Sequence, residues 1–145
     1  APSTITRLQN MGTPDYLISA ACQLVVAQRL ARKNCKECRV PDDDVTPKVL
    51  QDLGFTAELA SRVKAVKGKG CTKCNNTGYK GRQGIYEILV VTKPLKEAIL
   101  RQATTPELRE IGVKEGFQTM QDMGRRLIAS GELNFREYER VLSGE

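Results

Sequence analysis

The chain contains no histidine and no tryptophan, and only three phenylalanines and four tyrosines among its 145 residues. Without histidine it lacks the side chain that most often performs general acid–base catalysis near neutral pH. No apolar run approaches the roughly 18 residues that a membrane-spanning helix needs. A phosphate-binding Gly-x4-Gly-Lys-Ser/Thr loop is also missing, because the single Gly68-Lys69 pair is followed by Gly70. We therefore expect neither a catalytic centre nor a membrane span in these residues.

Four of the five cysteines form two pairs, Cys35-x-x-Cys38 and Cys71-x-x-Cys74, with 32 residues between the pairs. Each pair can place two sulfurs on adjacent corners of a tetrahedron, about 3.8 Å apart for Zn–S bonds of about 2.3 Å. Four thiolates leave no position for water or substrate, so the pattern predicts a structural zinc ion. Unconnected thiols or a redox-active pair are alternatives, but two pairs at this separation favour zinc. The fifth, Cys22, is interpreted as a buried small apolar residue.

The chain has a formal charge of +6 and an isoelectric point near 9.2, which raises nucleic acid or acidic lipid as possible partners. The basic residues are spread along the chain, however, and a filled tetracysteine zinc site would contribute two negative charges. We interpret the charge mainly as a solvated surface. Five cysteines without a signal peptide indicate a reducing compartment. This predicts cytoplasmic localisation, with peripheral membrane attachment through a partner still open.

Turn and helix signals predict a mainly helical α+β fold. A short helix should end at Gly12, and a longer one should run from Thr13-Pro14 through apolar positions to the basic residues before Cys35. Two short helices should begin at Thr46-Pro47 and Thr56 and end at Gly54 and Gly68. The positions that recur at helical spacing in the longer helix are Leu17, Ile18, Ala21, Leu24, Val25 and Gln28, and its basic residues are Arg29, Arg32 and Lys33.

The second cysteine pair is followed by a turn-dense stretch, residues 75–84, and then by Ile85–Val91, the only convincing strand. Glycines 78, 81 and 84 precede a strand rather than a helix, so we expect turn and close-packing roles rather than phosphate binding. Three or four short helices should follow as a small bundle. Their start signals are Thr92 or Lys93-Pro94, Thr105-Pro106, Thr119 and Asn134, and their stop signals are Gly116, Gly131 and Gly144.

Three stretches carry a family resemblance: Ala1–Gly12, Ala27–Arg32 leading to Cys35, and Gly70–Glu87. The last contains Cys71-x-x-Cys74-Asn75-x-Thr77-Gly78-Tyr79-x-Gly81-Arg82-x-Gly84-Ile85-x-Glu87 and is the most specific. Together they resemble the C-terminal end of the type II secretion and type IV pilus assembly ATPases, the GspE/PilB family.

The resemblance implies a cytoplasmic, hexameric P-loop ATPase as the parent, which assembles pilin or pseudopilin by docking on an inner-membrane platform protein. Residues 1–34 would be the tail of its RecA-like core, 35–91 a tetracysteine zinc-binding lobe ending in a strand, and 92–145 a C-terminal helical sub-domain. ATP and Mg²⁺ would bind only in the parent, whose Walker A, Walker B and histidine-box motifs lie upstream. Arg29 and Arg32 either approach nucleotide or a neighbouring subunit there, or form an exposed cluster at a helix end.

Two other functions compete with this interpretation. A nucleic-acid-binding zinc ribbon fits the basic charge, but only Tyr79 and Tyr86 lie near the cysteines as stacking platforms. A co-chaperone zinc module would repeat its cysteine motif more often and with shorter spacers. We therefore expect a structural, partner-binding zinc domain of a secretion motor, with no catalytic residue of its own, no nucleic-acid partner and no direct membrane insertion.

Overall fold

A computed structural model describes residues 1–142 and gives an α+β, mainly helical fold, as predicted. Its elements fall into two compact units. The first contains Ala1–Gln28 and Tyr86–Thr119, and the second contains Arg29–Ile85 and the residues from Met120 onward. In chain order the elements are α1 (Pro2–Asn10), α2 (Asp15–Ala21), β1 (Leu24–Asn34), β2 (Arg39–Pro41), α3 (Pro47–Asp52), α4 (Ala57–Arg62), β3 (Val66–Gly68), a 3-10 turn (Thr72–Cys74), β4 (Tyr79–Val90), α5 (Lys93–Leu100), α6 (Thr105–Lys114), α7 (Met120–Ser130) and α8 (Phe135–Leu142).

The first unit packs four helices on the adjoining ends of β1 and β4. Helix α2 lies against α5, and α6 contacts both α1 and α5. Gly112 allows α6 to approach β4, since a Cβ at this position would lie 2.9 Å from Leu89 Cδ1. The buried core consists of Ile5, Ile18, Val25, Leu89, Val91, Leu95, Ala98, Ile99, Ala103, Leu108 and Phe117.

The second unit holds the paired cysteines and four further helices. Strands β2 and β3 pair antiparallel, with Arg39 opposite Gly68 and Pro41 opposite Val66. Helices α3 and α4 pack on each other, and so do α7 and α8. The largest fully buried apolar side chains of this unit are Leu50, Ile85, Ile128, Leu133 and Leu142.

The long helix predicted from Thr13-Pro14 to the first cysteine pair is wrong beyond Ala21. Residues Leu24–Asn34 form β1, which pairs with β4. The Val91 N–H donates to the Gln23 carbonyl and the Cys35 N–H to that of Gly78, so the two strands run antiparallel. The prediction relied on helical spacing and overlooked that the β-branched residues Val25 and Val26 suit a strand. A strand also needs a pairing partner, which here lies far along the chain.

The strand predicted at Ile85–Val91 was too short at its N-terminal end. Strand β4 begins at Tyr79 and includes residues that were expected to form turns. Ile85–Val91 is therefore not the only strand. Similarly, α4 ends at Arg62 rather than Gly68, since Val66–Gly68 forms β3.

Most predicted helix starts are confirmed. The Thr46 and Thr56 hydroxyls accept the Val49 and Leu59 N–H groups and cap α3 and α4. The four C-terminal helices are present: α5 and α6 belong to the first unit, and α7 and α8 to the second. The stop signal at Gly144 lies outside the described residues. No helix within residues 1–142 is both long and apolar enough to cross a membrane.

Candidate metal centre

The four paired cysteines come together in the second unit, at the ends of three strands. Cys35 directly follows β1, and Cys38 directly precedes β2. Cys71 directly precedes the 3-10 turn between β3 and β4, and Cys74 is the last residue of that turn. Strand pairing thus carries two sequence-distant turns to one place and forms a tetracysteine cluster.

The sulfur positions have the spacing of a tetrahedral site. The Sγ atoms of Cys35 and Cys71, and those of Cys38 and Cys74, lie 3.8 Å apart. The Cys71 and Cys74 Sγ atoms are 3.7 Å apart, and all four lie within 4.8 Å of one another. A tetrahedron of sulfurs around zinc, with bonds of about 2.3 Å, has edges of about 3.8 Å. The spacing of these four sulfurs therefore suits a single tetrahedral metal ion.

Backbone N–H groups point at two of these sulfurs. Gly70 donates to Cys38 Sγ at 3.3 Å, while Cys71 and Gly78 each donate to Cys74 Sγ at 3.2 Å. Hydrogen bonds to a thiolate stabilise its negative charge. The turns that present the cysteines therefore also favour the ionised form that binds metal.

The two hydrogen-bonded sulfurs differ in pKa. Burial opposes the Cys74 thiolate, but bonds from the Cys71 and Gly78 N–H groups and from the neighbouring thiols lower its pKa to about 6. At Cys38 the Gly70 N–H favours the thiolate, yet burial and hydrogen bonds to the other three sulfurs raise the pKa to about 11. A metal ion must displace the remaining thiol protons, so its affinity should rise with pH.

A close approach of two glycines supports the cluster. A Cβ on Gly68 would lie 1.9 Å from the Gly78 carbonyl oxygen, and one on Gly78 would lie 2.4 Å from that of Gly68. Gly78 has a φ of +81°, and its carbonyl accepts the Cys35 N–H. The predicted turn and close-packing role is confirmed at this position.

In the same unit as the cluster, the carboxylate of Glu137 joins α8 to β1. It accepts the Arg32 backbone N–H at 2.6 Å and both the Arg32 and Arg140 guanidinium groups. Burial opposes the charged form, but these donors hold the pKa of Glu137 at about 2. Sequence patterns did not identify this residue.

Tyr79, the first residue of β4, also contacts Arg32 and connects it to Asn134. The Arg32 guanidinium carbon lies 4.0 Å from the centre of the Tyr79 ring, and Asn134 Nδ2 donates to the Tyr79 hydroxyl at 3.0 Å. Asn134 also caps α8 by accepting the Glu137 N–H at 2.7 Å. The predicted helix start at Asn134 was the only sequence signal for this network.

The remaining candidate residues lie outside the cluster. Arg29 and Arg32 belong to β1 and bond to α8, with Arg29 Nη1 donating to the Val141 carbonyl at 2.7 Å, so the predicted helix end is wrong. Both residues are exposed, as expected. Cys22 is half-buried at the end of α2 and packs against the core of the first unit.

Comparison with known proteins identifies the family. The family described as "Type II/IV secretion system protein" matches residues 1–140. The type IV pilus assembly ATPase PilB of Thermus thermophilus is 39% identical over 127 residues, which are 86% of this chain and 14% of that protein. PilB of Pseudomonas aeruginosa is 36% identical over 141 residues, 97% of this chain and 25% of the relative. The type II secretion system protein HxcR of the same bacterium is 34% identical over 141 residues, 97% of this chain and 26% of the relative.

The chain spans about a quarter or less of the length of these relatives. The match nevertheless covers nearly all of the chain, including the four clustered cysteines. The chain therefore belongs to the type II/IV secretion system protein family.

Proposed function

We propose that this chain is the C-terminal zinc-binding part of a type IV pilus assembly or type II secretion ATPase. Its role is structural and partner-binding, within a homo-hexameric motor whose ATP hydrolysis drives pilin or pseudopilin assembly. ATP and Mg²⁺ bind elsewhere in the parent. The parent is cytoplasmic and reaches the inner membrane through a platform protein. The tetracysteine cluster, in a chain that matches the family over residues 1–140, is the observation that carries this proposal.

Zinc fits the donor set best. Four sulfur donors select zinc or an iron–sulfur centre, and a single ion of tetrahedral preference fits edges of 3.7–3.8 Å. A shell of Cys35, Cys38, Cys71 and Cys74 is closed to water, so the ion holds structure rather than performing catalysis. Because the shell joins the turn between β1 and β2 to the turn between β3 and β4, it fixes this lobe as one rigid surface.

Elemental analysis of the chain purified without added metal tests the cofactor. We expect one zinc per chain and no visible absorption from iron–sulfur charge transfer. Cys74→Ser should lose the metal, whereas Cys22→Ser should keep it, because Cys22 lies outside the cluster. A folded chain with well under one equivalent of metal would contradict the assignment.

The role in the motor is tested in the full-length parent. Cys71→Ser together with Cys74→Ser should abolish pilus assembly or secretion while nucleotide affinity changes little, with Cys22→Ser as the control. If nucleotide affinity collapsed while the lobe stayed folded, the metal would belong to the ATPase site and the structural role would be rejected.

A further inference from the structure

A pocket of about 390 Å³ opens beside the tetracysteine cluster, within the second unit. Its lining includes Lys33, Lys36, Lys73 and Lys80, with Glu37 as the only carboxylate. Small-molecule sites in proteins are concave and typically about 300–1,000 Å³ in volume. The pocket is therefore large enough for a small molecule and strongly basic.

The four lysines come from three stretches of chain. Lys33 lies near the end of β1 and Lys80 near the start of β4, while Lys36 and Lys73 lie between the two cysteines of their respective turns. Buried Asn34 adds a fixed wall, since its amide donates to the carbonyls of Val66 and Gly131. The fold thus gathers like charges that would repel each other without an anion between them.

No carboxylate in residues 1–142 forms an ion pair with any of these four lysines. A filled metal centre, to which the lining residue Cys35 contributes a thiolate, would bring two negative charges nearby. The four lysines less Glu37 give the lining three positive charges, so one remains beyond those that a filled centre offsets. The pocket is therefore short of negative charge.

We propose that this pocket binds a small soluble anion with two or more phosphate groups. Lysine ammonium groups bind phosphate as point charges, and four of them around one cavity suit an anion of high charge density. The concave shape favours a soluble ligand over a flat membrane surface. Binding would connect the two cysteine turns from outside, and this site goes beyond the structural role proposed above.

Calorimetric titration of the metal-loaded chain with pyrophosphate tests the site. We expect binding that is tighter for pyrophosphate than for inorganic phosphate. Lys36→Gln with Lys73→Gln should weaken it about tenfold, because each lost ammonium–phosphate contact contributes a severalfold change in affinity. The matched control is Lys48→Gln with Lys64→Gln, which removes two exposed charges of the same unit outside the pocket and should leave affinity within about twofold.

Metal content is measured on every variant, so that loss of the zinc centre is distinguished from loss of the pocket. If Lys36→Gln with Lys73→Gln loses metal, Lys33→Gln with Lys80→Gln replaces it, because these lysines lie outside the cysteine turns. Equal weakening by pocket and control variants would reduce the effect to overall charge and overturn the proposal. The proposal would also be overturned if the chain did not bind pyrophosphate, or if it bound only to vesicles of phosphatidylglycerol and phosphatidylcholine.

Discussion

Glu137 is a fully buried carboxylate that accepts hydrogen bonds from Arg140 on its own helix and from Arg32, on a strand 105 residues away in sequence. Its pKa of about 2 lies below the ordinary value of 4.5, so its contribution to stability is present above pH 4.5 and is lost as the pH falls towards 2. Glu137→Gln should therefore lower the free energy of unfolding at pH 7 by about 2 kcal/mol. The difference from the unmodified chain should narrow below pH 4.5.

Urea denaturation across this pH range measures both effects. Glu58→Gln is the control, because it also removes one carboxylate of the second unit, but from an exposed ion pair with Arg62. It should leave stability unchanged within error. A pH-independent loss for Glu137→Gln would mean that the side chain acts through packing rather than charge.

Gly78 and Gly81 form a matched pair for testing the metal centre, since both lie in β4 or directly before it with φ near +80°. A methyl group strains the backbone at either position. At Gly78 it would also overlap the Gly68 carbonyl, whereas at Gly81 the nearest atom is Lys33 Cδ at 3.8 Å. Gly78→Ala should weaken zinc affinity by at least about tenfold, and Gly81→Ala by much less. Competition with a chromophoric chelator measures this, and equal losses would refute the close-approach argument.

The residues of the site were only partly predictable from sequence. Spacing identified the four cysteines, because a CxxC turn fixes its own local geometry. The N–H donors of Gly70 and Gly78 and the carboxylate of Glu137 were missed. Their roles depend on partners brought near by strand pairing, and no local pattern contains that information.

At the scale of elements, the confirmed helices depend on local contacts, whereas the strand that was predicted as a helix depends on a partner far along the chain. The starts of α3 and α4 depend on threonine caps only three residues from their partners. Strand β1 depends on β4, which lies far along the chain, beyond both cysteine pairs. Its Leu24 and Val25 also fit a helical repeat, so local periodicity could not choose between the two structures.

Strands β2 and β3 have three residues each, too few to be stable alone, and both adjoin the cysteine turns. Replacing Cys71 and Cys74 by serine leaves two thiolates, which cannot complete a tetrahedral shell. We expect hydrogen–deuterium exchange in residues 35–41 and 66–78 to rise to nearly unfolded rates. Helices α5 and α6 belong to the first unit and should keep their protection.

Cys22→Ser is the control for this exchange experiment, because it alters a thiol of the first unit and leaves the cluster intact. Its exchange pattern should match that of the unmodified chain. An equal loss of protection from hydrogen exchange in both units of the double variant would contradict this expectation. It would mean that the metal stabilises the whole chain rather than the second unit.

At the scale of the whole molecule, the apolar side chains of the first unit divide into a buried set and an exposed set. Ile18 and Val25 are buried in its core, whereas Leu17 and Leu24 are about half exposed. Four of the exposed apolar side chains lie together on one face of the paired strands: Leu24 and Val26 on β1, and Ile88 and Val90 on β4, each about half exposed. Apolar faces of this kind mark interaction sites.

We expect this chain to self-associate through this face. Val26→Lys with Ile88→Lys should shift the chain to monomer in sedimentation velocity from micromolar to millimolar concentrations, because two ammonium groups cannot be buried in an apolar contact without a large cost. Leu100→Lys with Val113→Lys is the matched control: these side chains are each 52% exposed on helices of the same unit. If both variants, or neither, changed the association, the strand face would not be the contact surface.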